Sequence, residues 1–398
     1  MSQIAEPPSI TRQATVTLLL CLLVAGFEGV DLQAAGVVMP RIGPLFHFVV
    51  SEKKWFLAAS TIGLVIGALI GGRLADLWGR KAALMISIAL FGVFSVATAL
   101  ATSKAGLIEA RLATGLGLGG ALPNLIALVA EAARVQHRRG AVAIMYCGMP
   151  LGGGCASLLS LIGATGSSWQ DVFFVGGLAP LALLPLMWFL LPDSAEFQAA
   201  QSLPDKPPVL ASLFGEGRAG RTLLLWLSFF TGLLVLYLLL NWLPSLMVAR
   251  GLSEHDASWI QVAFNLVGVA GVLAAGVILS RAAGLAVLIF FGGAIVGLAL
   301  VALVPATLES ELFAGSVVGA AVMGCQSVLY ALAPGFYPTA VRGTGVGSAV
   351  SAGRLGSVAG PLVAGLVLQG GGNAVSVLFY LVPVAAVSLI AAGVLVRK

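Results

Sequence analysis

This 398-residue chain is short of charge: 21 Lys and Arg and 16 Asp and Glu make up only 9% of it, where soluble domains carry about 25%. That shortage excludes a water-soluble globular protein. Histidine and cysteine are as scarce, at three and four residues. His47, His137 and His255 fall between apolar runs, and Cys21, Cys147, Cys155 and Cys325 fall inside them without any CxxC or Cys/His spacing. Neither a metal site, a disulfide framework nor a nucleophile triad is indicated, so an enzyme is disfavoured and no cofactor is expected. The many glycines lack the Lys and Ser/Thr of a phosphate loop. Alternation of apolar and polar residues is also missing: 222–240 and 285–304 are apolar on every face, which argues against a transmembrane barrel. The net charge of +5 calls for no nucleic acid, because basic residues gather at the cytoplasmic loops of membrane proteins.

What remains is apolar sequence, 59% of the chain. Bounded by charges, Pro and Gly, it divides into twelve helical spans near 14–38, 54–74, 82–101, 105–130, 140–162, 170–191, 222–246, 256–279, 283–304, 310–333, 343–368 and 373–395, each close to the roughly 20 residues that cross a bilayer. The expected fold is an all-α membrane protein of twelve transmembrane helices in two six-helix halves. The longest polar stretch, from Pro192 to Arg221, reads as a linker, giving a first half at 1–191, a cytoplasmic linker at 192–221 and a second half at 222–398. With the N-terminus inside, fourteen of the 21 basic residues fall on the cytoplasmic side and five opposite, so both termini are expected in the cytoplasm. Gly72 to Asp76, after the second span, matches Gly276 to Ser280 after the eighth. Arg139-Gly140, before the fifth, matches Arg342-Gly343 before the eleventh, and the two spacings agree to within one residue. Such duplication is how alternating-access carriers are built.

Only four charges lie deep within spans: Glu28 and Asp31 in the first, Arg111 in the fourth and Arg354 in the eleventh. A charge at the centre of a spanning helix costs roughly 2.5–3.5 kcal/mol on the insertion scale, so each must face a cavity, find a partner or be neutralised. Glu28 and Asp31, three residues apart, share a helix face.

The loop Gly72-Arg73-Leu74-Ala75-Asp76-Leu77-Trp78-Gly79-Arg80-Lys81 resembles the signature of the major facilitator superfamily, and Arg111 followed by Gly115, Gly117, Gly119 and Gly120 resembles its fourth-helix motif. Leu77 stands where that family often has Arg, and Ser280 replaces the acid in the second copy. The resemblance implies gating roles for Gly72, Asp76, Arg80, Arg139 and Arg342. Glu28-Gly29-Val30-Asp31 is similar to the Asp-Gly-x-Asp motif of the aromatic acid:proton symporter branch, with Glu28 in place of its first Asp. It implies proton coupling through Asp31, with Glu28 as the second candidate. Gly353-Arg354 to Pro361 resembles a late Arg motif of the same branch.

Two acids and two bases are formally neutral together, so a bound organic anion calls for protonation of one acid, which couples the two fluxes. Arg354 is favoured as ligand of the substrate carboxylate and Arg111 as partner of the first-span acids, with the reverse arrangement open. Asn124, Tyr146, Asn241, Trp242, Asn265, Gln326 and Tyr330, with Tyr237 and Phe264, are candidates to line a cavity for a phenolic ring. A Trp or Tyr near a span end also serves as an interface anchor. The runs at 28–36, 121–128, 145–148 and 326–334 are similar to 3-(3-hydroxyphenyl)propionate transporters of that branch. The resemblance therefore implies proton-coupled import of a small aromatic carboxylate, a hydroxyphenylpropanoate, across a bacterial inner membrane by a monomer. Import of benzoate or hydroxybenzoate, and proton-driven export, stand as alternatives.

Overall fold

The computed structural model describes residues 9–134, 138–163, 168–192, 209–215, 217–337 and 342–397. The chain runs through α1 (Ser9–Leu45), α2 (Val50–Trp78), α3 (Arg80–Leu100), α4 (Lys104–Ala132), α5 (Arg138–Tyr146), α6 (Gly148–Gly163) and α7 (Gln170–Leu190). After the short α8 (Val209–Phe214) come α9 (Ala219–Ala249), α10 (Glu254–Arg281), α11 (Ala283–Leu303), α12 (Leu308–Leu332), α13 (Arg342–Gln369) and α14 (Ala374–Arg397). Among the described residues eleven helical segments are long and apolar enough to cross a membrane. The remaining long helix, α2, spans 29 residues and packs along α4. The protein is thus an all-α, multi-pass membrane protein.

Each packing in one half has a counterpart in the other. α2 lies on α4 as α10 lies on α12, α1 on α6 as α9 on α13, α3 on α4 as α11 on α12, and α3 on α7 as α11 on α14. Across the middle, α1 meets α9, α2 meets α13 and α6 meets α10. Glycine permits the tightest of these contacts. A Cβ on Gly67 would stand 2.1 Å from the Leu116 carbonyl oxygen, and one on Gly119 would stand 2.1 Å from that of Leu64, so α2 and α4 touch backbone to backbone. Lipid gives helices no hydrophobic drive to associate, and close packing of this kind supplies the attraction. Gly79, at φ 88°, makes the reversal between α2 and α3 that a side chain would strain.

Two boundaries differ from the sequence expectation. α1 continues to Leu45, through Pro40 and Pro44; a buried helix tolerates proline because neighbouring groups satisfy the freed carbonyls. The fifth span is interrupted at Cys147, between α5 and α6. Pro150 has no N–H to offer the Tyr146 carbonyl, which removes one helical bond at that point. Tyr146 consequently ends α5 beside the centre of the bundle. His255 lies in the first turn of α10 rather than in a loop, and both it and His47 are exposed; His137 lies outside the described residues.

Candidate functional site

α1 carries its two acids to the centre of the bundle, where they meet different surroundings. Asp31 is sealed. Arg111 of α4 donates from Nη1 to Asp31 Oδ2 at 2.7 Å and from Nη2 to the Asp31 carbonyl oxygen at 2.8 Å, and the Ser95 hydroxyl of α3 lies 2.6 Å from Oδ1. The Arg111 guanidinium is also 5.5 Å from the Phe173 ring. Both members of the ion pair are 0% exposed. Such a pair offsets its desolvation best when its geometry is good and its remaining atoms are bonded; here both carboxylate oxygens are engaged, and of the guanidinium only Nε is without a partner among the described residues.

One turn earlier, Glu28 is 1% exposed, and its Oε1 has no hydrogen-bond partner among the described residues. Arg354 of α13 is 8% exposed and makes no ion pair among the described residues. Its Nη1 donates instead to the Tyr237 hydroxyl at 2.8 Å. Glu28, Tyr146, Tyr237 and Tyr330 all lie close enough to Arg354 to interact with its charge. The Tyr146 and Tyr330 rings are 5.6 Å apart, and Phe229 stands edge-on to Tyr330 at 5.2 Å. Tyr146, Tyr237, Gln326, Gln33, Met149 and Met323 are among the residues lining a cavity between the two halves. Arg354 is held near it because Gly356 and Gly360 bring α13 against the backbone of α9 at Phe230 and Leu234.

The remaining candidates divide by what their polar atoms meet. Asn124 and Asn241 donate to carbonyls one turn back on their own helices, Gly120 and Tyr237, each at 2.8 Å. Trp242 donates from Nε1 to the Pro361 carbonyl at 3.1 Å. Asn265 joins Gln33 of α1, with Nδ2 2.8 Å from Gln33 Oε1 and Oδ1 2.9 Å from Gln33 Nε2; Gln261 donates to the same Oε1 at 3.0 Å. This amide trio ties the two halves together. Nearer the end where α1 stops, Arg41 bonds Glu254 at 3.2 Å and the Ser160 carbonyl at 2.6 Å, and Lys54 donates to Gln369 at 2.8 Å. Gln326 differs from the other amides: it is 1% exposed, lines the cavity, and both of its amide atoms are without a partner among the described residues.

Among the gating candidates, Gly72 and Asp76 sit in the last turns of α2, Arg139 in α5 and Arg342 at the start of α13. The side chains of Asp76, Arg139 and Arg342 lie outside the described residues. Arg80 opens α3 and forms an ion pair with Glu131 near the end of α4. Sequence reasoning missed Ser95, Glu131, Gln33 and Gln261. The last was detectable as an amide four residues before Asn265 in an apolar helix. It also missed the buried pair of Arg250 and Glu311, in which Arg250 additionally caps α11 through the Val304 carbonyl at 2.7 Å.

Residues 21–361 match the family model described as Major Facilitator Superfamily. The chain is 44% identical over 373 residues to the 3-(3-hydroxy-phenyl)propionate transporter of Escherichia coli (strain K12), covering 94% of this chain and 91% of that protein. It is 37% identical over 382 residues to the gallate transporter of Pseudomonas putida, covering 88% and 85%. It is 32% identical over 404 residues to the 4-hydroxybenzoate transporter PcaK of Pseudomonas aeruginosa, covering 93% and 90%. Among solved structures, the D-xylose-proton symporter superposes with a TM-score of 0.74 at 19% identity over 95% of this chain and 96% of that one. The inward open xylose transporter XylE from E. coli gives 0.75 at 16% identity over 96% of each. At such identities the structural likeness speaks for the fold alone.

Proposed function

The chain belongs to the major facilitator superfamily and is a transporter rather than an enzyme, and on that premise we propose that it imports an aromatic carboxylate together with protons. The observation that carries this reading is Arg354: a buried cation, without an ion-pair partner among the described residues, beside an aromatic-walled cavity. A guanidinium forks onto a carboxylate through two parallel hydrogen bonds, while Tyr146 and Tyr237, which line the cavity, offer their rings to the ring of the ligand. The similarity to the 3-(3-hydroxy-phenyl)propionate transporter supports a hydroxyphenylpropanoate as the substrate.

Glu28 is the proton carrier in this scheme. Asp31 has both carboxylate oxygens occupied by Arg111 and Ser95, whereas Glu28 has an unpartnered oxygen next to Arg354's charge. An ionised Glu28 balances Arg354 when the site is empty. Entry of a carboxylate leaves one negative charge too many in a low-dielectric interior, and protonation of Glu28 restores neutrality. The substrate and the proton thus enter together because neither charge is tolerated alone.

Transport then requires the halves 1–191 and 222–398, joined by the linker 192–221, to rock about the site. In this scheme the cross-half bonds of Arg41 with Glu254 and of Lys54 with Gln369 close the outer face. Asp76, Arg80, Arg139 and Arg342 serve the cytoplasmic face, where Arg80 pairs with Glu131. Both termini lie in the cytoplasm of a bacterium, with the carrier a monomer in the inner membrane.

Proteoliposomes given an inward proton gradient test the proposal. Labelled 3-(3-hydroxyphenyl)propionate is expected to accumulate above its external concentration, and an uncoupler to abolish that accumulation. Competition by benzoate or 4-hydroxybenzoate without competition by phenylpropanoates would move the substrate to the shorter acids, and net efflux would overturn import.

A further inference from the structure

We propose that Gln326 recognises a ring hydroxyl of the substrate and sets the preference for hydroxylated over bare aromatic acids. The inference rests on the aromatic-carboxylate reading and adds a second anchoring point to it. A buried amide without partners is costly, because its donor and acceptor lose water and gain nothing in exchange. Asn124, Asn241 and Asn265 each find at least one protein partner, whereas Gln326, equally buried, finds none among the described residues and lines the cavity.

Its surroundings hold the amide in place. On the α9 side, a Cβ built on Gly232 would stand 2.7 Å from Gln326 Nε2, so the absence of a side chain at 232 makes the space the amide occupies. Tyr330 follows four residues later on α12, about one helical turn or roughly 5–6 Å along the axis, and it is Tyr330 that lies within reach of Arg354's charge. Tyr237, which accepts from Arg354, lines the same cavity as Gln326, so a ligand with its carboxylate on Arg354 and its ring in that cavity presents its far edge to Gln326. The chemistry that fits is a phenolic hydroxyl. It both donates and accepts, as the amide does, and it carries no charge, in keeping with a cavity lining that holds no cation among the described residues. A site built to bond a substrate hydroxyl discriminates against the analogue lacking it, since its own polar atoms are then left unmet.

The test measures apparent KM for 3-(3-hydroxyphenyl)propionate and for 3-phenylpropionate in proteoliposomes of the wild type and of Gln326→Leu. The wild type is expected to favour the hydroxylated acid, and Gln326→Leu to reduce that preference by about tenfold or more, through a raised KM for the hydroxylated acid alone. Removing two unmet polar atoms is expected to leave the thermal midpoint unchanged or higher, which separates the effect from misfolding. Gly232→Ala, which pushes the amide aside without altering it, is expected to act in the same direction, and with Gln326→Met it carries the test should the leucine variant not reach the membrane. A wild type without preference, or variants that keep the wild-type ratio, would overturn the role of Gln326 alone. Uptake of neither acid by the wild type would overturn the substrate reading, and this inference with it.

Discussion

Arg111 and Arg354 are both cations buried in apolar helices, and the sequence presents them as near equals. Arg111 is fully enclosed, with two hydrogen bonds to Asp31 and an aromatic face beside it. Arg354 retains slight exposure and gives its one side-chain bond to a neutral hydroxyl. The difference teaches how one fold uses the same residue type twice. A charge locked to its counter-charge by direct hydrogen bonds within its own half holds helices together, whereas a charge that has an acid nearby but gives its hydrogen bond to a neutral hydroxyl is available to a mobile anion.

The comparison is most sharply tested at Arg111. Arg111→Met leaves Asp31 buried without its cation, and breaking such a pair costs about 3–5 kcal/mol; loss of folded protein in detergent is expected, with recovery when Asp31→Asn is added. Thermal unfolding of the single and double variants measures this, and a stable single variant would remove the structural role of the pair. The two acids allow the same contrast. Glu28→Gln is expected to abolish gradient-driven accumulation while sparing counterflow exchange, whereas Asp31→Asn is expected to lower stability first. Accumulation by Glu28→Gln at the wild-type level would return the coupling role to Asp31.

Arg354→Gln is predicted to fold normally and to raise the apparent KM for the carboxylate about 10- to 100-fold, the range for losing charge-assisted hydrogen bonds worth about 1.5–3 kcal/mol. Uptake kinetics decide it, and an unchanged KM would place the carboxylate elsewhere. Arg41 is the control, an arginine at the rim whose partner Glu254 is 43% exposed. Glu254→Gln is expected to shift stability by less than about 1 kcal/mol, as for other exposed pairs, and a large loss in the melting curve would show that this contact bears more of the closed state than its exposure suggests.

How far the site was legible follows from the same residues. Four charges in long apolar runs stand out because burial makes each one expensive, so Glu28, Asp31, Arg111 and Arg354 were visible at once. The sequence favours Arg111 as partner of the first-span acids and leaves the reverse open. Which acid it takes was not legible, since Asp31 and Arg111 are brought together only by the packing of α1 on α4 and two acids on one helix face look alike until their neighbours are placed. The amides show the same limit. Asn124 and Asn241 satisfy themselves on the preceding turn, Asn265 does so across the halves, and Gln326 finds no partner. Residue type alone ranks them together.

Composition and apolar run lengths by themselves determined that this is a helical protein crossing a membrane many times, because bilayer thickness and the cost of unpaired backbone in lipid admit few alternatives. Tertiary structure alone decided which arginine is locked and which is open. An ion pair depends on distances of a few ångströms between helices distant in sequence, and those distances are set by how glycine-faced helices pack.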